Sequence, residues 1–252
     1  MAAPETVPSL QESFGLAGKR LLATGSASGI GRAFALLAAE AGASLALLDL
    51  NEQGLAETHA AATGAERTLT FAVDLTQWGQ VESAVRQAVE AFDGLDAVCN
   101  IAGWDAPAPF WEQPLELWEK LVAVNLWSQL HVCRATVPVL KEQGKGRIVN
   151  VASDAGRVGS KGETVYAAAK GGVIALTKSL ARELAPFGVS VNCVCPGPTR
   201  TPLFEQEAKD NPSLMGSWRA RCRCGGTASP TTLRAQSRSS RRRPPHTSPG
   251  RC

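Results

Sequence analysis

A single tyrosine, two methionines and three histidines are found in 252 residues, and the seven cysteines form no Cys-x-x-Cys pair. Without that spacing zinc and thioredoxin-type chemistry have little support, and scattered thiols read as reduced and structural. No apolar run approaches the roughly 18 residues that a membrane helix needs. The opening Met-Ala-Ala-Pro-Glu has neither a basic stretch nor an apolar segment, so no secretory signal is expected and the protein is placed in the cytoplasm. Acidic side chains are missing altogether from residues 216–252, which hold nine of the 26 Lys+Arg and none of the 23 Asp+Glu. Residues 1–215 therefore carry −6 and the tail +9, and the overall +3 describes neither part.

After about fifteen poorly patterned residues, short apolar runs alternate with helical periodicity. Arg20–Thr24, Ser44–Asp49, Thr68–Val73, Leu95–Asn100, Arg147–Ala152 and Val189–Val194 read as strands. Ile30–Ala41, Glu52–Ala62, Gln80–Phe92, Leu117–Leu140 and Val165–Ala185 read as helices. The strand runs show little polar alternation, which predicts burial on both faces. Such alternation of elements predicts an α/β fold: a doubly wound, Rossmann-type parallel sheet in one domain over residues 16–215. Gly42, Gly94, Gly146 and Gly188 each precede a strand, where a glycine helps end a helix.

The first strand runs into Thr24-Gly25-Ser26-Ala27-Ser28-Gly29-Ile30-Gly31, which opens the first helix. Gly25 permits a sharp turn, and Gly29 and Gly31 let backbone approach a pyrophosphate on the helix N-terminus. A lone glycine pattern is weak, but here the strand–loop–helix context is present. Asp49 ends the second strand, 18 residues after Gly31, where a carboxylate accepts hydrogen bonds from ribose hydroxyls and repels a 2′-phosphate. NAD is therefore expected over NADP, although Arg32 lies near. Asp74 ends the third strand, either facing the adenine or capping the next helix. Tyr166 and Lys170 stand four apart on a predicted helix and share a face. Ser153 lies thirteen residues earlier, at a strand end. His59 and His131 fall in helical segments and read as surface or packing residues.

Thr24-Gly25-x-x-x-Gly29-Ile30-Gly31, Asn100-Ile101-Ala102-Gly103, Asn125, Ser153, Tyr166-x-x-x-Lys170 and Pro196-Gly197 occur in one order with consistent spacing. Together they resemble the short-chain dehydrogenase/reductase family over about residues 16–210. Ile101 departs from its pattern, which more often has a second asparagine there. The resemblance implies an NAD-dependent oxidoreductase interconverting a secondary alcohol and a ketone, with Asn125, Ser153, Tyr166 and Lys170 catalytic. Tyr166 would move the proton that accompanies hydride transfer, with Lys170 and the positive nicotinamide favouring its phenolate. Ser153 would hold the substrate oxygen, and Asn125 would support a water relay to Lys170. Cofactor contacts are implied for Gly25, Ser28, Gly29, Ile30, Gly31, Asp49, Asp74, Asn100, Ala102, Gly103, Tyr166, Lys170, Pro196, Gly197, Thr199 and Thr201. Lys170 would hold the nicotinamide ribose and Thr201 its carboxamide. No metal is implied. Gly103-Trp104-Asp105, the Ala152–Gly159 segment and Gly162-Glu163-Thr164-Val165-Tyr166 resemble the branch containing 2-hydroxycyclohexanecarboxyl-CoA dehydrogenase. That likeness suggests an alicyclic β-hydroxyacyl-CoA, another thioester or a simple cyclic alcohol, with Trp104, Trp111 and Arg157 suited to a ring and an anionic carrier. Family members form homo-oligomers, usually dimers or tetramers.

From Gly216 the composition turns to Arg, Ser and Pro. A disordered basic arm, an unrelated linker and a shifted reading frame compete as explanations. With GC-rich codon choices, the shifted frame from Trp218 yields LARAVPLRRYGEPDDLARAIAFFAS and then EAAAHITGQV. This resembles the family's C-terminal segment, with its Glu-Pro-Asp-Asp helix start and Ile-Thr-Gly-Gln lead-in to a final strand. The frameshift is the preferred reading, with no nucleic-acid or membrane partner. It implies a missing last helix and seventh strand, and an inactive NAD-binding protein as the alternative outcome.

Overall fold

A computed structural model of the chain describes residues 14–210. Six strands form one parallel sheet: β1 Arg20–Thr24, β2 Ser44–Asp49, β3 Thr68–Ala72, β4 Ala97–Asn100, β5 Gly146–Val151 and β6 Val189–Val194. Their order is β3-β2-β1-β4-β5-β6, so the chain reverses direction of winding between β1 and β4. A parallel sheet of this order opens a crevice at the carboxyl ends of its strands at that switch point. Thr24 pairs with Leu48 and Asn100 with Asn150, bringing those strand ends to one level.

Successive side chains of a strand point to opposite faces, and the core divides accordingly. Leu22, Leu48, Val98 and Ile148 join one buried cluster, packed under α3 (Trp78–Phe92) and α5 (Ser128–Glu142). Leu21, Ala23, Leu45 and Leu47 join the other, under α1 (Gly29–Glu40) and α2 (Glu52–Ala61). Burial on both faces holds for β1 and β2. It fails at β6, where Val189 and Val191 are buried while Ser190, Asn192 and Val194 are exposed. Arg147 of β5 is exposed on the same face, so no described helix covers this side of β5 and β6.

The helix expected over 117–140 is divided into α4 (Leu115–Val122), a π-helical turn Ala123–Trp127 and α5. The extra residue in the turn coincides with Asn125, which faces inward and is fully buried. The helix ends are also placed differently at one glycine. Gly42, Gly94 and Gly188 adopt positive φ as expected, but before β5 the left-handed residue is Gly144. Gly146 instead starts the strand, where a Cβ would lie 2.7 Å from Leu140 Cδ2. Three further helices follow the sheet ends: α6 (Ala155–Val158) and α7 (Thr164–Leu184) after β5, and α8 (Pro202–Asp210) after β6. The readings of residues 1–13 and of the Arg-rich tail lie outside the described residues.

Candidate active site

The turn from β1 into α1 is built around its glycines. A Cβ on Gly31 would sit 1.9 Å from the Gly25 carbonyl oxygen, and one on Gly25 would sit 2.8 Å from Ala102 Cα. Only glycine permits both approaches, and Gly25 also has φ 69°. Thr24 ties this turn to the next loop, its Oγ accepting from the amides of Ile101 and Ala102 at 3.0 and 3.1 Å. Ser28 takes the N-cap position of α1, and its side chain makes no capping bond. The helix start therefore keeps amide donors and a positive dipole for an anion, and the cradle fits a dinucleotide pyrophosphate.

Asp49 lies beside that turn. Its carboxylate accepts from the amides of Ala27 at 2.9 Å and Asn51 at 3.0 Å, which holds the turn and leaves further lone pairs towards the cleft. Arg32 is drawn off to Glu57 at 3.0 Å, which removes the cation that could have favoured a 2′-phosphate. Asp74 accepts from the amide and hydroxyl of Thr76 at 2.9 and 2.7 Å while still lining the cleft, whereas Gln77 takes the cap position of α3.

These residues border a cavity of about 700 Å³ at the carboxyl ends of the strands. Gly25, Ser28, Gly29, Ile30, Gly31, Asp49, Asp74, Ala102, Gly103, Ser153, Tyr166, Lys170, Pro196, Gly197, Thr199 and Thr201 all line it. Two other expected residues sit behind the wall. Asn100 is buried within the sheet, donating to Asn150 Oδ1 at 2.8 Å, and Asn150 in turn donates to Thr177. Asn125 donates to the carbonyls of Trp104 and Leu121 at 2.7 and 2.9 Å and accepts from the Trp104 amide at 3.2 Å. It thereby fixes the loop after β4. A Cβ at Gly103 would meet both Asn125 Oδ1 and Lys170 Nζ at 3.0 Å, so those two groups converge on one point.

Tyr166 and Lys170 stand one turn apart on α7, with Lys170 Nζ 5.7 Å from the Tyr166 ring centre. Lys170 is buried and donates to the Val151 carbonyl at 3.1 Å. Burial lowers its pKa to about 8. The phenol of Tyr166 is shifted the other way: desolvation raises its pKa, and a hydrogen bond with Ser153 opposes the rise. The expected depression of the Tyr166 pKa is therefore corrected for the protein alone, because the wall of the site disfavours charge more than its neighbours favour phenolate. Thr201 caps α8, accepting from the Phe204 amide at 3.2 Å, and its methyl group would touch a Cβ on Gly29.

Three carboxyl groups at the substrate end had no motif to mark them. Asp105, Glu163 and Glu207 line the cavity close to Tyr166. Asp105 and Glu163 stand inside segments that the sequence had already brought forward, but for another reason. Glu207 reaches the site on α8, whose position only the fold supplies. Two of the residues proposed to meet a ring and a carrier lie elsewhere. Trp111 is 82% exposed and Arg157 pairs with Asp154 at 3.3 Å on the surface; neither borders the cavity.

Comparison with known proteins places this geometry. The family described as short chain dehydrogenase matches residues 19–212. D-beta-hydroxybutyrate dehydrogenase of Rhizobium meliloti (strain 1021) is 36% identical over 201 residues, 79% of this chain and 78% of that protein. 2,5-Dichloro-2,5-cyclohexadiene-1,4-diol dehydrogenase LinX of Sphingobium indicum is 39% identical over 192 residues, 75% of this chain and 76% of its own. Among solved structures, NAD+-bound xylitol dehydrogenase superposes with a TM-score of 0.81 at 29% identity, covering 88% of this chain and 91% of that one.

Proposed function

This chain belongs to the short-chain dehydrogenase family, and from that premise we propose that it oxidises a carrier-free cyclic or polyhydroxylated secondary alcohol to its ketone, with Tyr166 moving the proton. It is an NAD-dependent oxidoreductase acting between a secondary alcohol and a ketone. The observation that carries the finer reading is the make-up of the substrate end of the cleft. Of the three residues suited to a ring on an anionic carrier only Trp104 borders it, while Asp105, Glu163 and Glu207 do. Among the described residues, an acyl-CoA, with its phosphates, finds no arginine there. The cyclic diol and the polyol named for two of the similar proteins fit the same chemistry.

NAD supplies the hydride acceptor for the alcohol carbon. The chain supplies everything else. Gly25, Gly29 and Gly31 with the start of α1 hold the pyrophosphate, Asp49 the adenosine ribose, and Lys170 the nicotinamide ribose. Ser153 Oγ would hold the substrate oxygen beside Tyr166 Oη, which in its phenolate form takes the hydroxyl proton as the carbonyl forms and in its phenol form returns it in the reverse direction. A bound NAD would place positive charge near the buried phenol, which would oppose the desolvation that holds the Tyr166 proton.

The test is NAD+ reduction by a panel of cyclic diols, polyols and 3-hydroxyacyl thioesters, with the reverse reaction followed as NADH consumption. Turnover of the diols or polyols above the thioesters is expected, and a preference for thioesters overturns the reading. NADH should bind more tightly than NADPH, and Asp49→Ser should narrow that preference; tighter NADPH binding by the unmodified protein contradicts the role given to Asp49.

A second reading has its own observation. The family match ends at residue 212, and β5 and β6 keep one face open among the described residues. On that reading the protein binds NADH and turns nothing over, because the segment that follows is a frameshift product.

A further inference from the structure

Asp105 is only 6% exposed, and among the described residues its Oδ2 takes no hydrogen bond from an N–H or a hydroxyl; the group beside it is the carboxyl of Glu163. Its Oδ1 accepts from the Ala106 amide at 2.8 Å, which fixes the carboxyl in the cavity wall. The loop bearing it is anchored one residue earlier, where Asn125 grips both backbone groups of Trp104. A buried carboxyl oxygen without a donor is costly, and a fold keeps one where a ligand supplies what is missing. Glu163, at the start of α7 three residues before Tyr166, and Glu207 of α8 complete the same wall.

We propose that Asp105, with Glu163 beside it, is the specificity residue of the cleft, accepting a hydrogen bond from a second hydroxyl of a neutral diol whose first hydroxyl is held at Tyr166. The inference rests on the alcohol-oxidising function proposed above and names the substrate class for it. Among the described residues Asp105, Glu163 and Glu207 face this end of the cavity, with Asp154 beside Ser153, against Lys120, which stands 4.0 Å over the Trp104 ring, and the deeper Lys170. A carboxylate substrate would add negative charge to a wall whose own carboxyl groups already resist ionisation. A hydroxyl can both donate to and accept from this carboxyl pair and brings no charge. Burial and the neighbouring Glu163 carboxyl hold the Asp105 pKa far above the ordinary carboxylate range, and burial also raises Glu207, to about 7. Asp105 and Glu163 thus share a proton readily, so the pair can both accept from and donate to a hydroxyl. An ammonium substrate would gain little from a pair already part-neutralised in this way.

The experiment compares 1,2-cyclohexanediol, cyclohexanol and 3-hydroxybutyrate on the full chain, by steady-state NAD+ reduction and by titration of the NADH-bound protein followed through NADH fluorescence. The expected diol-to-cyclohexanol ratio in kcat/KM is tenfold or more, with 3-hydroxybutyrate below the diol. Asp105→Ala should bring the ratio close to one, chiefly through KM for the diol. Asp105→Asn, which keeps the shape, should lower it less. NADH affinity reports whether each variant is folded. A ratio unchanged in both folded variants, or 3-hydroxybutyrate preferred to the diol, overturns the proposal. If no alcohol is turned over, the proposed function fails by itself. The specificity residue is then judged by fluorescence alone: diol binding that is lost in Asp105→Ala supports it, and equal binding of diol and cyclohexanol refutes it.

Discussion

At the scale of single residues, the site is governed by how two ionisable groups answer to burial. Tyr166 keeps its proton more firmly than a free tyrosine, and Lys170 gives its proton up more easily than a free lysine. Tyr166→Phe keeps the ring and removes only the transferable proton. Turnover should fall by roughly 10²–10⁴-fold, while NADH binding, measured by fluorescence titration, stays within about twofold. Lys170→Ala should weaken both, since that side chain serves cofactor and proton together; substantial turnover by Tyr166→Phe would move the acid–base group elsewhere. Lys170 also makes stability depend on pH. Its pKa of about 8 in the folded chain lies below the ordinary 10.5, so between those values the unfolded chain binds more protons. Stability from this group therefore rises with pH across that window, by up to roughly 3 kcal/mol. Urea unfolding of the unliganded protein at pH 8 and pH 10 should show the rise, and Lys170→Met should flatten it. An identical pH slope in the variant would mean that the ammonium is solvated.

The elements explain which parts of this arrangement were legible in the chain. β1, α1 and the loop between them could be read directly, because the glycines, the apolar strand and the helix periodicity all report on local backbone. Tyr166 and Lys170 were equally legible, since four residues on a helix always make one turn. The π-helical turn was not, because it answers to Asn125 gripping a loop 21 residues away. Glu207 was hidden for the same reason: its helix starts beyond the last strand, and nothing local ties it to Tyr166. The unalternating strands misled at β6, where only the neighbouring elements decide which face is covered. The β1–α1 turn gives the sharpest prediction at this scale. Gly31→Ala forces a methyl group to 1.9 Å from the Gly25 carbonyl oxygen, so the turn must open. Overpacking of that kind costs roughly 1–3 kcal/mol, and the displaced amides no longer converge on a phosphate. A lower Tm and at least tenfold weaker NADH binding are expected. Unchanged NADH affinity would mean that the pyrophosphate is held elsewhere.

At the scale of the molecule, the sheet is covered unevenly, and this bears on whether the protein works. The strands at its centre are buried on both sides, but Arg147, Ser190, Asn192 and Val194 face outward with no described helix above them. The family ends its match at residue 212, and the hydroxybutyrate dehydrogenase is matched over 78% of its length. The chain continues instead with residues 216–252, which hold nine arginines and no acid. On the frameshift reading proposed above, with GC-rich codons, restoring the frame near Met215 would replace that segment with an amphipathic helix pattern and an apolar lead-in of the kind that closes such a sheet. Covering the exposed face of β5 and β6 should raise Tm by several degrees, as burial of even a few hundred Å² of apolar area contributes several kcal/mol. It should also raise kcat on the diol, because the Pro196–Thr201 segment and α8 with Glu207 follow β6 directly, so that covering β6 should help to hold them in place. On the same reading, deleting residues 216–252 from the chain as it stands should change Tm by less than about 2 °C, since a segment read out of frame would contribute little to the fold. Thermal unfolding and NAD+ reduction on the three chains, native, deleted and frame-restored, settle the matter together. Loss of stability on deletion, or a restored chain no more stable than the native one, would show that the Arg-rich segment belongs to this fold after all.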